Sequence, residues 1–192
     1  MYHIYTTDGL ILKRKNFGEG NVLLYVLTKD LGLILASAQS VRSHKSKLSS
    51  ALMEYSLSTI SFIHGKNGWK ITNAASRQNF FFDYSPVHRE LVAKISNVLI
   101  KLIAGEEKHP EIFETVLNAF DLLEGLKDEE VFSLESLIML RILYHLGYVA
   151  KKENTDVFLE NNTFNSEILE KISLQKRDVI ELINKGLKES QL

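Results

Sequence analysis

The spacing of apolar residues changes near residue 80, and this change constrains the fold more than any other feature of the sequence. Before it, short apolar runs alternate with turn residues, as in a succession of β-strands. Beyond it, apolar residues recur at the spacing that places them on one face of a helix. The sequence therefore predicts an α+β fold of two modules, with the boundary between Asn79 and Ser85.

Five strands are predicted in the first module. They cover Gly9–Lys13, Val22–Thr28, Leu33–Ala38, Tyr55–Ile63 and Trp69–Ala74. Asn67-Gly68, between the last two strands, is a strong hairpin signal because both residues tolerate a positive φ. Within the fourth strand the apolar positions slip from odd numbers, as at Leu57, to even numbers, as at Ile60. Such a slip predicts a bulge or strong coiling, either of which helps a small sheet to close into a barrel.

The connection between the third and fourth strands indicates the type of barrel. Residues 39–53 begin polar and basic and end with apolar residues at helical spacing. We therefore expect a loop followed by about one turn of helix. Five strands with this connection predict an N-terminal OB-fold barrel over residues 1–80.

The second module, residues 84–192, is predicted to be an all-α helical domain. Helices are expected from Pro86 to Gly105, Pro110 to Gly125, Asp128 to Leu146, Glu167 to Ile172 and Gln175 to Leu187. The third of these is apolar almost all round, which predicts a position at the centre of the bundle. The polar stretch before the fourth helix is expected to be irregular, with a short hairpin at Val157–Leu159.

The two modules differ in charge. Residues 1–83 hold ten Lys or Arg and five Asp or Glu, a net charge of +5. Residues 84–192 hold the remaining 13 basic and 19 acidic residues, a net charge of −6, and the sum is the −1 of the whole chain. A basic module of this size is typical of polyanion binding, and an excess of exposed lysines by chance is the alternative.

The sequence offers no support for an enzyme, a cofactor or a metal site. There is no cysteine, which excludes disulfides, thiolate metal sites and a Cys nucleophile. The six histidines are scattered, and no Gly-rich phosphate loop precedes a helix. Apolar runs are too short for a membrane-spanning helix and no signal peptide is evident, so we expect no membrane partner and a cytoplasmic location.

Cations of the first module are the candidate DNA-binding residues. They are Lys13, Arg14, Lys15, Arg42, Lys45, Lys47, Lys66 and Lys70. The basic run, defined as Arg42, Lys45 and Lys47, is interleaved with small hydroxyl side chains and can follow a phosphate backbone. The alternative for this run is a solvated loop. The other five cations flank the loops beside the binding face of an OB-fold barrel.

Three aromatic residues of the first module are candidates for stacking on bases. They are Phe17, Tyr25 and Trp69. Packing in the barrel core is the alternative for each ring. The sequence alone leaves both open.

Several segments resemble the DNA repair protein RecO family. Gly9–Lys13, Phe17–Glu19, Leu24–Thr28 and Leu31–Leu33 look like the N-terminal barrel of that family. The similarity continues through Arg42–Leu52 and through Phe132–Tyr148, which ends in Leu-Gly-Tyr. The order and spacing of these segments, rather than any single motif, carry the resemblance.

The resemblance implies a recombination mediator that is not an enzyme. Family members bind single- and double-stranded DNA through the barrel and anneal complementary strands. They engage RecR and the acidic tail of the single-stranded DNA-binding protein, and they assist RecA loading. By position, the basic run corresponds to the basic residues that follow strand three in the family.

The chain departs from the family pattern at three places. Ala38-Gln39-Ser40 stands where the family often has Ala-Arg-Gly. Residues 151–164 contain no cysteine where many members have four zinc ligands, so we expect a compact, zinc-free member. The net charge of −6 in the helical module disfavours docking of an acidic tail there. A protein adaptor and an RNA-binding OB protein remain alternative functions.

Overall fold

The computed structural model describes residues 3–43, 46–151, 155–159 and 163–191. Its internal contacts group the chain into two compact units. The first contains residues 1–82 and 96–108, and the second contains residues 83–95 and 109–192. The predicted domain limits, 1–80 and 84–192, remain a prediction.

The first unit contains a closed five-stranded barrel. Its strands are β1 (Ile4–Phe17), β2 (Asn21–Thr28), β3 (Gly32–Ala38), β4 (Ser56–Gly65) and β5 (Gly68–Asn79). Their order around the barrel is β1-β2-β3-β5-β4, with β3 and β5 parallel and the other pairs antiparallel. A barrel followed by helices confirms the predicted α+β class and OB fold.

β1 is much longer than predicted because polar residues continue it in both directions. Its first half pairs with β4 from Ile4 to Leu10, and its second half pairs with β2 from Gly9 to Phe17. The polar side chains before Gly9 interrupt the apolar signal, although their backbone groups complete the sheet. Because the two ends of β1 contain few apolar residues, the apolar pattern of the sequence does not show where this strand begins and ends.

The bulge predicted within the fourth strand is wrong, because β4 pairs with β1 from Leu57 to Ile63 without a register shift. The β4–β5 register shifts between Leu57 and Ser58 and again between Ser61 and Phe62. In both places the additional residue belongs to β5, whereas β4 keeps its alternation, with Ser58, Ile60 and Phe62 all buried. A third shift leaves Leu12 of β1 without a partner on β2. These irregularities allow short strands to coil and close.

Alternate residues of the strands fill the barrel interior. The core includes Ile11, Val22, Leu24, Val26, Ile34, Ala36, Ile60, Phe62 and Ile71. Val41, Ala51 and Leu52 from the connection between β3 and β4 also belong to this core. The connection therefore contributes to the stability of the barrel through buried apolar surface.

The expected turn of helix before β4 is not a regular helix. Residues 46–53 of the connection form a succession of turns, although the Leu52 N–H donates to the Leu48 carbonyl at 3.0 Å. The Ser46 hydroxyl accepts a hydrogen bond from the Leu48 N–H at 3.3 Å. Such side-chain bonds to nearby backbone compete with helix formation.

The helices are α1 (Pro86–Leu102), α2 (Pro110–Leu122), α3 (Val131–His145), α4 (Asp156–Leu159), α5 (Ser166–Leu174) and α6 (Lys176–Glu189). Short 3-10 turns at Leu123–Gly125 and Asp128–Glu130 separate α2 from α3. α3 is buried on nearly every side and packs against α2, α4, α5 and α6, as predicted for the central helix. No helix of the described chain has the length and apolar character to cross a membrane.

The hairpin predicted at Val157–Leu159 is wrong. This segment forms α4, and the Phe158 N–H donates to the Thr155 carbonyl at 3.0 Å. Phe158 and Leu159 are both buried, whereas neighbouring residues of a strand point to opposite sides. An apolar run this short fits either a strand or a buried helical turn, so sequence periodicity did not distinguish them.

A buried arginine holds the chain around α4 in the second unit. Arg141 of α3 is 1% exposed, and its Nε donates to the Phe158 carbonyl at 2.8 Å. Its Nη2 donates to the Thr163 carbonyl at 2.9 Å, and the guanidinium lies 4.4 Å from the Phe164 ring centre. Burial lowers the pKa of Arg141 to about 10. The guanidinium thus satisfies carbonyls of an irregular segment from inside the bundle.

We expect Arg141→Met to lower the free energy of unfolding by about 2 kcal/mol, because the buried Phe158 carbonyl and the part-buried Thr163 carbonyl lose their donor while a buried charge is removed. Urea denaturation followed by circular dichroism measures the change. Arg177→Met, at an exposed position of α6, is the control and should change stability by less than about 0.5 kcal/mol. Equal stability of the two variants would show that Arg141 does not anchor this segment.

Candidate nucleic-acid interface

One outer face of the barrel carries three lysines, which lie on β1 and β5 within two rows of cross-strand partners. Lys13, Tyr25 and Leu35 are cross-strand partners on β1, β2 and β3. A second row runs across four strands through Lys15, Leu23, Ser37 and Lys70. Directly paired residues point to the same side of a sheet, so these seven side chains form a single surface, here named the cationic sheet face.

The cationic sheet face combines positive charge with exposed apolar surface. Leu35 is 46% exposed at its centre, and the Lys15 ammonium lies 5.8 Å from the centre of the Tyr25 ring. Neighbouring strands are about 4.8 Å apart, so Lys15 and Lys70 are separated by about 14 Å across the sheet. This surface can hold an extended polyanion whose phosphates meet lysines and whose apolar parts cover Tyr25 and Leu35.

Arg14 lies on the opposite side of β1 from Lys13 and Lys15. Its partner across the sheet is the core residue Leu24, and its Nη1 donates to the Leu52 carbonyl at 3.3 Å. The structure therefore separates Arg14 from the two lysines beside it in the sequence.

Arg42 of the basic run lies beside the β1–β2 turn. The Arg42 backbone N–H donates to the Gly20 carbonyl at 3.1 Å, and Arg42 Nη1 donates to the Gly18 carbonyl at 3.2 Å. Lys47 is exposed, whereas Lys45 lies outside the described residues. Lys66 is exposed at the β4–β5 turn. The structure thus brings Lys13, Lys15 and Lys70 onto one face and leaves Arg42 and Lys66 in turns.

The three aromatic candidates have different surroundings. Trp69 belongs to the barrel core at 8% exposure, and its Nε1 donates to Glu106 Oε1 at 2.8 Å. Its ring packs in the barrel core, which was the alternative to stacking on a base. Phe17 is 44% exposed at the end of β1, and Tyr25 is half-buried on the cationic sheet face. These two rings retain surface for a base.

Two features of the barrel surface were missed by the sequence reasoning. Strict alternation in β3 places Leu35 opposite to Ile34 and Ala36, so the outward position of Leu35 could have been found from the pattern. A groove lined by Arg14, Asn16, Met53, Glu54, Tyr55, Phe81 and Phe82 had no such signal. Its residues come from three distant segments that only the folded barrel brings together.

The described residues contain no group of three or more His, Cys, Asp or Glu side chains arranged to hold a metal ion. The absence of zinc that the sequence suggests remains a prediction.

Strand order, closure and an outer face of this kind define an OB-fold barrel, followed in the chain by helices. Residues 1–80 match the family model described as "Recombination protein O N terminal". The chain belongs to the RecO family.

Curated relatives named "DNA repair protein RecO" share this similarity. The protein of Dehalococcoides mccartyi strain 195 is 30% identical over 130 residues, 67% of this chain and 51% of the relative. That of Heliobacterium modesticaldum is 27% identical over 145 residues, 76% of this chain and 52% of the relative. That of Caldicellulosiruptor bescii is 30% identical over 146 residues, 74% of this chain and 58% of the relative. The chain spans about half the length of the curated relatives it matches.

Proposed function

We propose that the chain acts in DNA repair and recombination, as its relatives are named to do, and binds single- and double-stranded DNA without bond-breaking chemistry of its own. The cationic sheet face is the observation that supports this most. Its lysines attract phosphates and release counterions whatever the base sequence. Tyr25 and Leu35 add the apolar contact that favours unstacked bases.

Fluorescence anisotropy with labelled oligo-dT at several salt concentrations tests this proposal. We expect binding that weakens steeply as salt increases, and competition by double-stranded DNA of the same length. No binding at low salt would contradict DNA binding and favour the protein adaptor. A strong preference for RNA of equal length would favour the RNA-binding alternative.

We further propose that the chain anneals complementary strands and, with RecR, assists RecA loading. The resemblance to RecO supports these roles, and a cationic surface supports annealing because it reduces the repulsion between two strands. The annealing rate of two labelled complementary strands measures the first role. A rate equal to that without protein, under conditions where DNA binds, would contradict it.

An acidic protein tail, such as that of the single-stranded DNA-binding protein, is a further proposed partner. The second unit offers a groove of about 500 Å³ lined by Leu174, Lys176, Arg177 and Ile180. Leu174 is 80% exposed, and the Lys176 ammonium lies 4.0 Å from the Phe132 ring centre. Two cations beside apolar side chains suit an acidic peptide with apolar residues, despite the net negative charge of the helical module. Titration with a labelled peptide of this type checks the proposal.

A further inference from the structure

A groove of about 420 Å³ opens beside the second half of β1. Pairing between β1 and β4 ends at Leu10, so β1 from Lys13 onward has β2 as its sheet partner on one side only. On the other side, Glu54 Oε1 accepts the Arg14 backbone N–H at 2.7 Å. Side chains of residues 53–55 and 81–82 form the opposite wall. The groove therefore lies at an open edge of β1, the strand that also carries Lys13 and Lys15.

The walls of the groove are held by a network of hydrogen bonds. Tyr55 has a left-handed backbone, with φ of 64°, and its N–H donates to the Ile11 carbonyl at 2.7 Å. Asn79 Nδ2 donates to the Glu54 carbonyl at 3.0 Å, and Asn79 Oδ1 accepts the Phe81 N–H at 3.1 Å. A bulky residue keeps this backbone conformation only when its surroundings impose it. The groove is thus formed before any ligand binds.

The lining combines flat aromatic surface with hydrogen-bonding groups. The Tyr55 and Phe81 rings are stacked, with centres 5.2 Å apart and an angle of 24° between planes. Phe82 is 55% exposed and forms an edge contact with Phe81. Burial, with a smaller contribution from the Glu54 carboxylate, raises the pKa of Tyr55, so its hydroxyl stays protonated at neutral pH. Aromatic walls beside a carboxylate suit a planar heterocycle that donates hydrogen bonds.

Among the bases, guanine fits this chemistry best. Its Watson–Crick edge has two adjacent N–H donors, N1–H and the N2 amino group, and a carboxylate accepts two parallel hydrogen bonds. Adenine and cytosine have one amino group on that edge, and thymine has a single N–H donor. The Glu54 carboxylate accepts the Arg14 N–H through Oε1 and has lone pairs left for a base.

We propose that this groove binds one unpaired guanine of a single strand that lies on the cationic sheet face. The inference rests on the proposed DNA binding and adds a base preference to it. Lys13 and Lys15 alternate with Arg14 and Asn16 along β1, so face and groove lie on the two sides of one strand. A strand held by the lysines can pass over the open edge of β1 and place one base in the groove.

Two labelled strands test the inference: oligo-dT of about ten nucleotides, within the range that one OB fold covers, and the same strand with one central dG. We expect the dG strand to bind about tenfold more tightly, as expected of one bidentate contact. Glu54→Gln should remove this preference while the amide oxygen keeps the Arg14 N–H bond. Phe82→Ala should reduce the preference, and neither variant should weaken oligo-dT binding more than about twofold.

Glu19→Gln is the matched control, because it removes the same charge from the β1–β2 turn and should retain the preference for dG. Circular dichroism melting verifies that each variant is folded. If oligo-dT binds and dG brings no gain, or if dA or dC brings an equal gain, the guanine groove is wrong while DNA binding stands. If oligo-dT itself does not bind, the proposed function fails first. Competition by guanosine monophosphate equal to that by the dG strand would indicate a nucleotide site and overturn the strand-bound base.

Discussion

Replacing Lys13, Lys15 and Lys70 together with alanine should lower the affinity for single-stranded DNA at least about tenfold at low salt. It should also flatten the slope of log affinity against log salt by about 2, since each phosphate contact on a single strand contributes about 0.7. All three lysines lie in the two cross-strand rows of the cationic sheet face. Fluorescence anisotropy across a salt series measures both quantities.

The matched control replaces Arg42, Lys45 and Lys47 with alanine and thereby removes the same charge from the basic run. Sequence reasoning assigns phosphate contacts to these residues, and full engagement would flatten the slope equally. Arg42 already donates to the Gly18 carbonyl, so we expect the smaller change here. If the slope of log affinity against log salt were unchanged in the sheet-face variant and flattened in the control, the basic run rather than the cationic sheet face would contact the phosphates.

Gly32→Ala should lower the free energy of unfolding by at least about 4 kcal/mol. Gly32 has φ of +75°, a backbone conformation that costs an L-residue about 1–2 kcal/mol. A Cβ atom there would lie 2.3 Å from the Glu107 carbonyl oxygen and 2.7 Å from the carbonyl carbon of Glu106. Backbone atoms cannot rotate away as a side chain does, so the segment 106–107 must move. Urea denaturation measures the loss.

Gly68→Ala separates backbone strain from steric overlap. Gly68 has φ of +87°, and a Cβ atom there would meet nothing within 4 Å. Its substitution should therefore cost only the strain, about 1–2 kcal/mol. An equal loss of unfolding free energy in the two variants would contradict this prediction. It would show that residues 106–107 move away from a Cβ atom at position 32 without destabilising the protein.

Local signals in the sequence predicted most of the secondary structure. Pro86 and Pro110 begin helices as expected, and Asn67-Gly68 lies at the hairpin between β4 and β5. Segments whose structure depends on remote partners were predicted less well. The Val157–Leu159 segment is a helical turn beside Arg141, and no local pattern in the sequence shows that a buried guanidinium will bind its carbonyls.

For the candidate site, residue type was predictable and arrangement was not. Lys13, Lys15 and Lys70 were named for their charge, but their alignment requires the parallel pairing of Ser37 with Lys70. That pairing makes neighbours of β3 and β5, which β4 separates in the sequence, and a sequence pattern within one strand carries no information about it. Trp69 combines an aromatic ring with a basic neighbourhood, and only the folded barrel shows its bond to Glu106.

The unpaired Leu12 determines which charges of β1 reach solvent. Ile11 faces the core, so an uninterrupted alternation would turn Lys13 and Lys15 inward and Arg14 outward. Because β1 contains one extra residue at Leu12, both lysines point outward instead. Deleting that single leucine would remove the bulge and keep every pairing of β1 with β2, so both lysines would still point outward. The polarity of this surface therefore depends on where the bulge lies in β1 as well as on which residues the strand contains.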